Sequence, residues 1–260
     1  MEKSLRITVP DFRRETMAED YYWDHYNATT GGQYLDSQER LIVNEFLDCY
    51  TPRLCLDIAC GSGRFSLPIM ERGIFVVAGE RDPIPIKKLN NKLSGSRNKE
   101  KTMCVLQIDA EYLPFQDKVF DCVLSIQTVG YLDLQHFFSE CNRILQGGGW
   151  LLFNEANRRS YKAPIYRRIG SSTRFYRHSH SEICSMLMDS GFQIKKVTGM
   201  NWLPIKRDSN SRWIPFASKI ECGLKLSNFP SISPWVFYVA QKKEYMSNGP
   251  RSDTDGDSQW

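Results

Sequence analysis

Residues 55–65 read CLDIACGSGRF. An apolar run leads straight into Gly61-Ser62-Gly63, and one carboxylate, Asp57, sits inside it. A short apolar run closed by glycines reads as a strand and a turn, and such a turn usually marks a ligand's close approach to the backbone. The carboxylate then says which kind of ligand.

Outward from this stretch the chain alternates. LCLDIA (54–59) is a strand and GRFSLPIMERG (63–73) a turn and helix stopping at Gly73. IFVVAGE is a strand, PIPIKKLNNKL a helix opened by prolines, and MCVLQIDA and FDCVLSIQ are further strands. LQHFFSECNRIL is an amphipathic helix that Gly147, Gly148 and Gly149 are expected to close, before the strand WLLFNEA. SHSEICSMLMDSGF is a helix with Ser179 and Glu182 placed as a capping box. FQIKKVTGM and PWVFYVAQKK are the last two strands, separated by an irregular stretch rich in Trp, Pro and Ser. Upstream, SQERLIVNEFLDCY is a helix expected to bury Leu41, Ile42, Phe46 and Leu47, ending before Pro52.

This order predicts an α/β fold: a Rossmann-like, seven-stranded, mostly parallel sheet with helices on both faces and an antiparallel last strand. Residues 1–50 are read as a helical N-terminal lid and 51–243 as the main domain, with a basic insertion at about 157–178. Residues 244–260 lack anchoring apolar side chains and are expected to be disordered.

At 260 residues and 41% hydrophobic content the chain can bury a full core. A net charge of +4 is too mild to argue for nucleic acid. Eight cysteines without a C-x-x-C pair argue against zinc and against a disulfide framework. There is no signal-peptide-like core, and no run approaches the ~20 apolar residues of a membrane span. A cytoplasmic location, no metal and no membrane partner are the expectations.

Two ligand classes suit a G-x-G turn between strand and helix. A dinucleotide would lay its pyrophosphate on the helix N-terminus, which Asp57 would repel. S-adenosylmethionine carries an ammonium and a sulfonium, and opposite charges at ~4 Å attract by a few kcal/mol in a partly dry cleft. The third glycine of G-x-G-x-x-G is also absent, with Ser66 in its place. Glu80 ends the second strand, where an acid can accept from both ribose hydroxyls. Asp109 ends the third, where it can accept from an adenine amino group. One ligand over the carboxyl ends of three strands could touch all three acids.

LDIACGSGRFSLPI, VVAGERDP, IDAEYLPFQDKVFDCVLS and ECNRILQGGGWLLF together resemble class I S-adenosylmethionine-dependent methyltransferases of the small-molecule type. The resemblance covers about 54–157. It implies that Asp57, Gly61 and Gly63 cradle the methionine moiety, Glu80 the ribose, and Asp109 with Ala110 the adenine. Ser125 to Gln127 would line the floor beside the methyl group. Ala59, Arg81 and Tyr34 join the cofactor set. Gly79 departs from the family, where an apolar residue is common. Gln127 stands outside any Asn-Pro-Pro-Tyr motif, which argues against adenine or glutamine as acceptor.

No general base is evident. His25 is the weak candidate, because N-terminal segments of this family fold over the cofactor. His136 reads as remote from the site, and His178 and His180 as capping or surface residues. Tyr26, Gly32 and Tyr34 are either a water-excluding lid or an anchor for the first helix. Tyr26, Tyr131 and Trp202 are placed on the substrate side. Asp121 reads as structural.

Residues 158–177 hold seven cations and no acid, interleaved with Tyr161, Tyr166, Phe175 and Tyr176. Such a segment suits an anionic or aromatic small molecule, methylated by in-line displacement at O, N or C. RNA docking, a protein substrate, a non-catalytic binding role or a solvated basic face are the alternatives. Nucleic acid is not the favoured partner, since no RNA-binding module is appended.

Overall fold

The computed structural model describes residues 28–94, 102–164 and 177–244. His25 and Tyr26, most of the basic insertion and nearly all of the tail lie outside them.

Helix α1 (Thr30–Cys49) precedes β1 (Leu54–Ile58), α2 (Ser66–Glu71), β2 (Phe75–Glu80), α3 (Pro83–Leu93) and β3 (Met103–Gln107). Then come β4 (Phe120–Ser125), α4 (Leu134–Ile144), β5 (Leu145–Ala156), α5 (His180–Asp189), β6 (Phe192–Met200), α6 (Ile214–Gly223) and β7 (Trp235–Lys242). The sheet order is β3-β2-β1-β4-β5-β7-β6. The β1–β5 pairings are parallel, and β7 runs antiparallel to both its neighbours. The expected topology holds.

Strand residues alternate between two buried faces. Cys55, Val76, Cys122 and Leu152 meet α1, α2 and α3, whereas Leu56, Val123, Leu151 and Tyr238 meet α4 and α5. Central strands buried on both sides therefore read as continuous apolar runs. Helix starts follow local chemistry: Asp82 accepts from the Ile84 amide ahead of two prolines, Asp133 caps α4, and Ser179 with Glu182 forms the capping box on α5.

Four expectations are corrected. Leu41 is 60% exposed, while Val43 takes a place on the buried stripe of α1. That helix also begins at Thr30, capped by Thr29, well before the apolar period starts. Gly147, Gly148 and Gly149 do not close α4. They lie inside β5, where the β4–β5 register slips between Phe120 and Cys122. The last turn of α4 is instead held by Lys242, whose Nζ donates to the carbonyls of Asn142 (2.6 Å) and Leu145 (2.7 Å). Finally, the stretch before β7 contains a whole helix, α6. Asp121 accepts the amides of Arg53 and Leu54, both at 2.9 Å, and so ties the start of β1 to β4.

Candidate active site

All parallel strands point their carboxyl ends at one edge, and the glycine turn caps it between β1 and α2. Ala59, Gly61 and Gly63 take φ of 56°, 57° and 87°. At Gly63 the conformation is joined by a steric demand: a Cβ would stand 2.5 Å from Leu89 Cδ1 of α3. The turn is pinned from outside by Lys92, whose Nζ donates to the Ser62 carbonyl at 2.9 Å. It is pinned from the strand side by the Cys60 amide on the Gly79 carbonyl at 3.1 Å.

Asp57 is 3% exposed. Ser66, standing where a third glycine would be, donates its hydroxyl to Asp57 Oδ2 at 2.5 Å. Burial pushes the Asp57 carboxyl up to about 7; the Ser66 hydrogen bond and the Arg64 charge pull the other way. A group so poised ionises readily when a cation arrives.

Glu80 Oε1 accepts the amides of Arg81 (2.8 Å) and Asp82 (3.0 Å), and Oε2 accepts that of Gly61 (3.0 Å). An ionised carboxylate has about four acceptor positions, so capacity remains for a hydroxyl. Gly79, the departure from the family pattern, is explained by its neighbour: a Cβ there would stand 2.4 Å from Ile108 Cδ1. Asp109 lies beyond β3 in a turn bridged to Tyr112, and its Oδ1 accepts the Glu111 amide at 3.1 Å. Its other oxygen faces Arg81 at 3.9 Å, an exposed and weak pair. Ala110, beside it, is half-buried.

Gln127 is reached at φ 62° after β4. Its amide donates to Asn154 Oδ1 at 2.7 Å, and its side chain donates to Glu39 Oε1. Glu39 is 1% exposed and is the hub of a network that sequence reasoning missed. Asn154 Nδ2 donates to Oε1 at 2.7 Å, and Arg64 pairs with Oε2 at 2.5 Å and with Asp36 at 2.9 Å. The Arg64 guanidinium also lies 4.4 Å from the Phe65 ring centroid. Helix α1 is thereby clamped to the glycine turn and to the ends of β4 and β5. The one available signal was Asp36 and Glu39 three residues apart on one helix face.

Tyr34 packs against α6. It is buried with Leu35 and Ile214, its hydroxyl donates to Glu221, and burial raises that hydroxyl's pKa. Tyr131 sits half-buried in the short 3-10 turn Val129–Tyr131 after β4. Trp202 follows β6; its carbonyl accepts the Tyr161 hydroxyl, and its buried Nε1 has no hydrogen-bond partner among the described residues. His136 is nearer than expected, with Nε2 2.8 Å from the Glu111 carbonyl next to Asp109 and Ala110. His180 contacts the Tyr238 hydroxyl at 3.1 Å inside the fold.

The donor set matches S-adenosylmethionine: a carboxylate for an ammonium at Asp57, one for a diol at Glu80, and one for an exocyclic amine at Asp109. Residues 56–153 match the model of the methyltransferase domain family. The chain carries a class I S-adenosylmethionine-dependent methyltransferase domain, which makes it an enzyme of that class with S-adenosylmethionine as cofactor.

Among relatives, the ajmaline N-methyltransferase of Rauvolfia serpentina is 26% identical over 71% of this chain and 69% of its own length. A ubiquinone biosynthesis O-methyltransferase of Rhizobium johnstonii is 28% identical over 60% of this chain and 66% of its own. The chain thus spans about two thirds of these relatives. A methyltransferase structure from Thermotoga maritima superposes with a TM-score of 0.57 at 20% identity, covering 81% of this chain and 91% of that one, and shares the fold.

Proposed function

We propose that this enzyme methylates an O, N or C nucleophile of a small molecule bearing an anionic or aromatic group. S-adenosylmethionine supplies the electrophilic methyl when bound. The chain's own part is to hold and order the two reactants, since proximity and orientation are worth ~7–11 kcal/mol in well-oriented systems.

The observation that carries the reading is Lys162. It belongs to the basic segment, yet it is only 4% exposed. Nζ donates to the Asn201 carbonyl at 2.7 Å and to Asn201 Oδ1 at 2.9 Å, so both close partners are neutral. Burial pulls its pKa down to about 8. The Glu221 charge offsets part of that burial cost, but Glu221 makes no ion pair with Lys162, so the desolvated cation still gains from an anionic ligand. Tyr161 stands beside it, past the carboxyl ends of β5 and β6, and its hydroxyl donates to the Trp202 carbonyl. We read this as the acceptor side of the edge, beside the proposed cofactor residues. N- and O-methyltransferases among the relatives support a small-molecule acceptor.

A nucleic-acid acceptor draws less support, because Arg158 is already engaged by Glu182 at 2.7 Å and by the Arg177 carbonyl. All eight cysteines are free, in keeping with a reducing, cytoplasmic setting.

The test is transfer of labelled methyl from S-adenosylmethionine to a panel of carboxylates, phosphate esters, phenols and amines. The expected acceptor is anionic, with KM rising about tenfold or more in Lys162→Met and largely restored in Lys162→Arg. Labelling of RNA or protein alone overturns the reading.

A further inference from the structure

The face of α6 that points away from the fold is apolar. Ile214 and Glu221 are buried, with Ile214 packed against Tyr34 and Leu35 of α1. Trp213, Phe216, Ile220 and Leu224 are 74%, 59%, 49% and 62% exposed. Their 3-4-4 spacing confines them to one sector of about 80° at 100° per residue. Phe229 and Ile232, just beyond the helix, are equally bare. Exposed large apolar side chains scattered singly need no explanation, but a contiguous stripe marks an interaction surface.

Charge decides what covers it. Lys206, Arg212, Lys219 and Lys225 are exposed in the same 203–232 stretch, in or flanking α6, and Asp208 is its one exposed acid. Two copies of this face brought together would set like charges against each other. A convex stripe of Trp, Phe, Ile and Leu flanked by cations suits a flat anionic surface instead. Among the described residues no helix is long and apolar enough to cross a membrane, so the contact would lie on the bilayer rather than span it.

We propose that α6 is an interfacial helix that docks the enzyme on an anionic lipid bilayer. Trp213, Phe216, Ile220 and Leu224 enter the acyl boundary, and Lys219 and Lys225 meet the headgroups. This stands independently of the proposed acceptor.

The experiment is co-sedimentation of the full chain with phosphatidylcholine vesicles and with vesicles containing phosphatidylglycerol as well. Fluorescence of Trp213, isolated as the difference between the chain and Trp213→Phe, is read in parallel. Binding to the anionic vesicles alone, weakening with salt and with a blue shift of Trp213, is expected. Phe216→Glu/Ile220→Glu and, separately, Lys219→Glu/Lys225→Glu should each weaken it about tenfold. All four positions are exposed, and a melting curve checks the fold of each variant. No sedimentation above a vesicle-free control, sedimentation indifferent to both double variants, or a concentration-dependent dimer abolished by Phe216→Glu would each overturn the proposal.

Discussion

Glu80 reaches from the end of β2 to the turn that follows β1, where its Oε2 accepts the Gly61 amide at 3.0 Å. One side chain thus ties the end of β2 to the turn after β1, and the atoms that do so are the ones proposed to meet a sugar.

Glu80→Ala leaves three amides without their acceptor. Binding of S-adenosylhomocysteine, followed by calorimetry, should weaken about tenfold or more, and stability should fall by ~1–3 kcal/mol. Glu80→Gln retains one acceptor oxygen and should fall between the two.

Asp57, as the proposed seat of the cationic head, predicts a pH-dependent cofactor affinity. Its carboxyl is pushed up to about 7, and a cationic head binds the ionised form. Affinity for S-adenosylmethionine should therefore rise as pH increases through 7 and level off above. Proton release on binding, seen as different apparent enthalpies in buffers of different ionisation heat, is the direct readout. In the free enzyme the raised carboxyl acts on stability in the opposite direction: the folded state holds this proton more tightly, so stability falls as pH climbs from about 4 to 7. Asp57→Asn should flatten both profiles.

Lys162 should cost the fold stability at neutral pH, since burial penalises its charged form. With its folded pKa near 8 and an unfolded value near 10.4, the penalty is complete below 8 and is relieved as pH rises between the two. Lys162→Met should melt higher than the parent at pH 7, with the gap closing towards pH 10. Equal melting temperatures at pH 7 would contradict the burial argument.

Glu39→Gln strips the half-buried Arg64 of one of its two carboxylates, the one that is itself buried. Breaking a buried pair costs ~3–5 kcal/mol, and the remaining Asp36 contact at 2.9 Å places this variant at the lower end. Urea denaturation reads the loss. Because Glu39 also holds Gln127 and Asn154, cofactor affinity should fall with it.

Gly31→Ala places a methyl 2.5 Å from the Lys206 carbonyl oxygen and 2.8 Å from that of Arg207, both backbone atoms. Overpacking of this kind costs ~1–3 kcal/mol. Gly223→Ala, at the end of α6 with nothing within 4 Å, is the control and should be neutral or slightly stabilising.

What could be read beforehand was whatever a local period or a local motif encodes. Helix α3 begins and ends where its prolines and apolar spacing put it, and the capping box at Ser179 needed only four residues. The unread parts depend on partners far along the chain. Glu39 and Arg64 are 25 residues apart, and Asn154 lies a further 90 beyond, so no window contains the network. Lys242 ends α4 from 100 residues away, which left the nearby glycines as the only visible stop signal. Helix α6 escaped notice because its larger apolar residues face outward and its buried positions include a glutamate. For Tyr34 the sequence leaves lid and anchor equally open, because the apolar pocket and Glu221 that receive it lie some 180 residues downstream.

The pairing of Gly79 with Ile108 carries an evolutionary consequence. The space over the second strand end holds one branched side chain, supplied here from the third strand's side. A larger residue at position 79 requires Ile108 to turn aside or shrink, so the two positions should covary as a volume-conserving couple. Gly79→Val alone should be damaging, and Gly79→Val with Ile108→Ala tolerated. A drift path between the two arrangements would therefore pass through the double-small state, with a cavity, rather than through the double-large one.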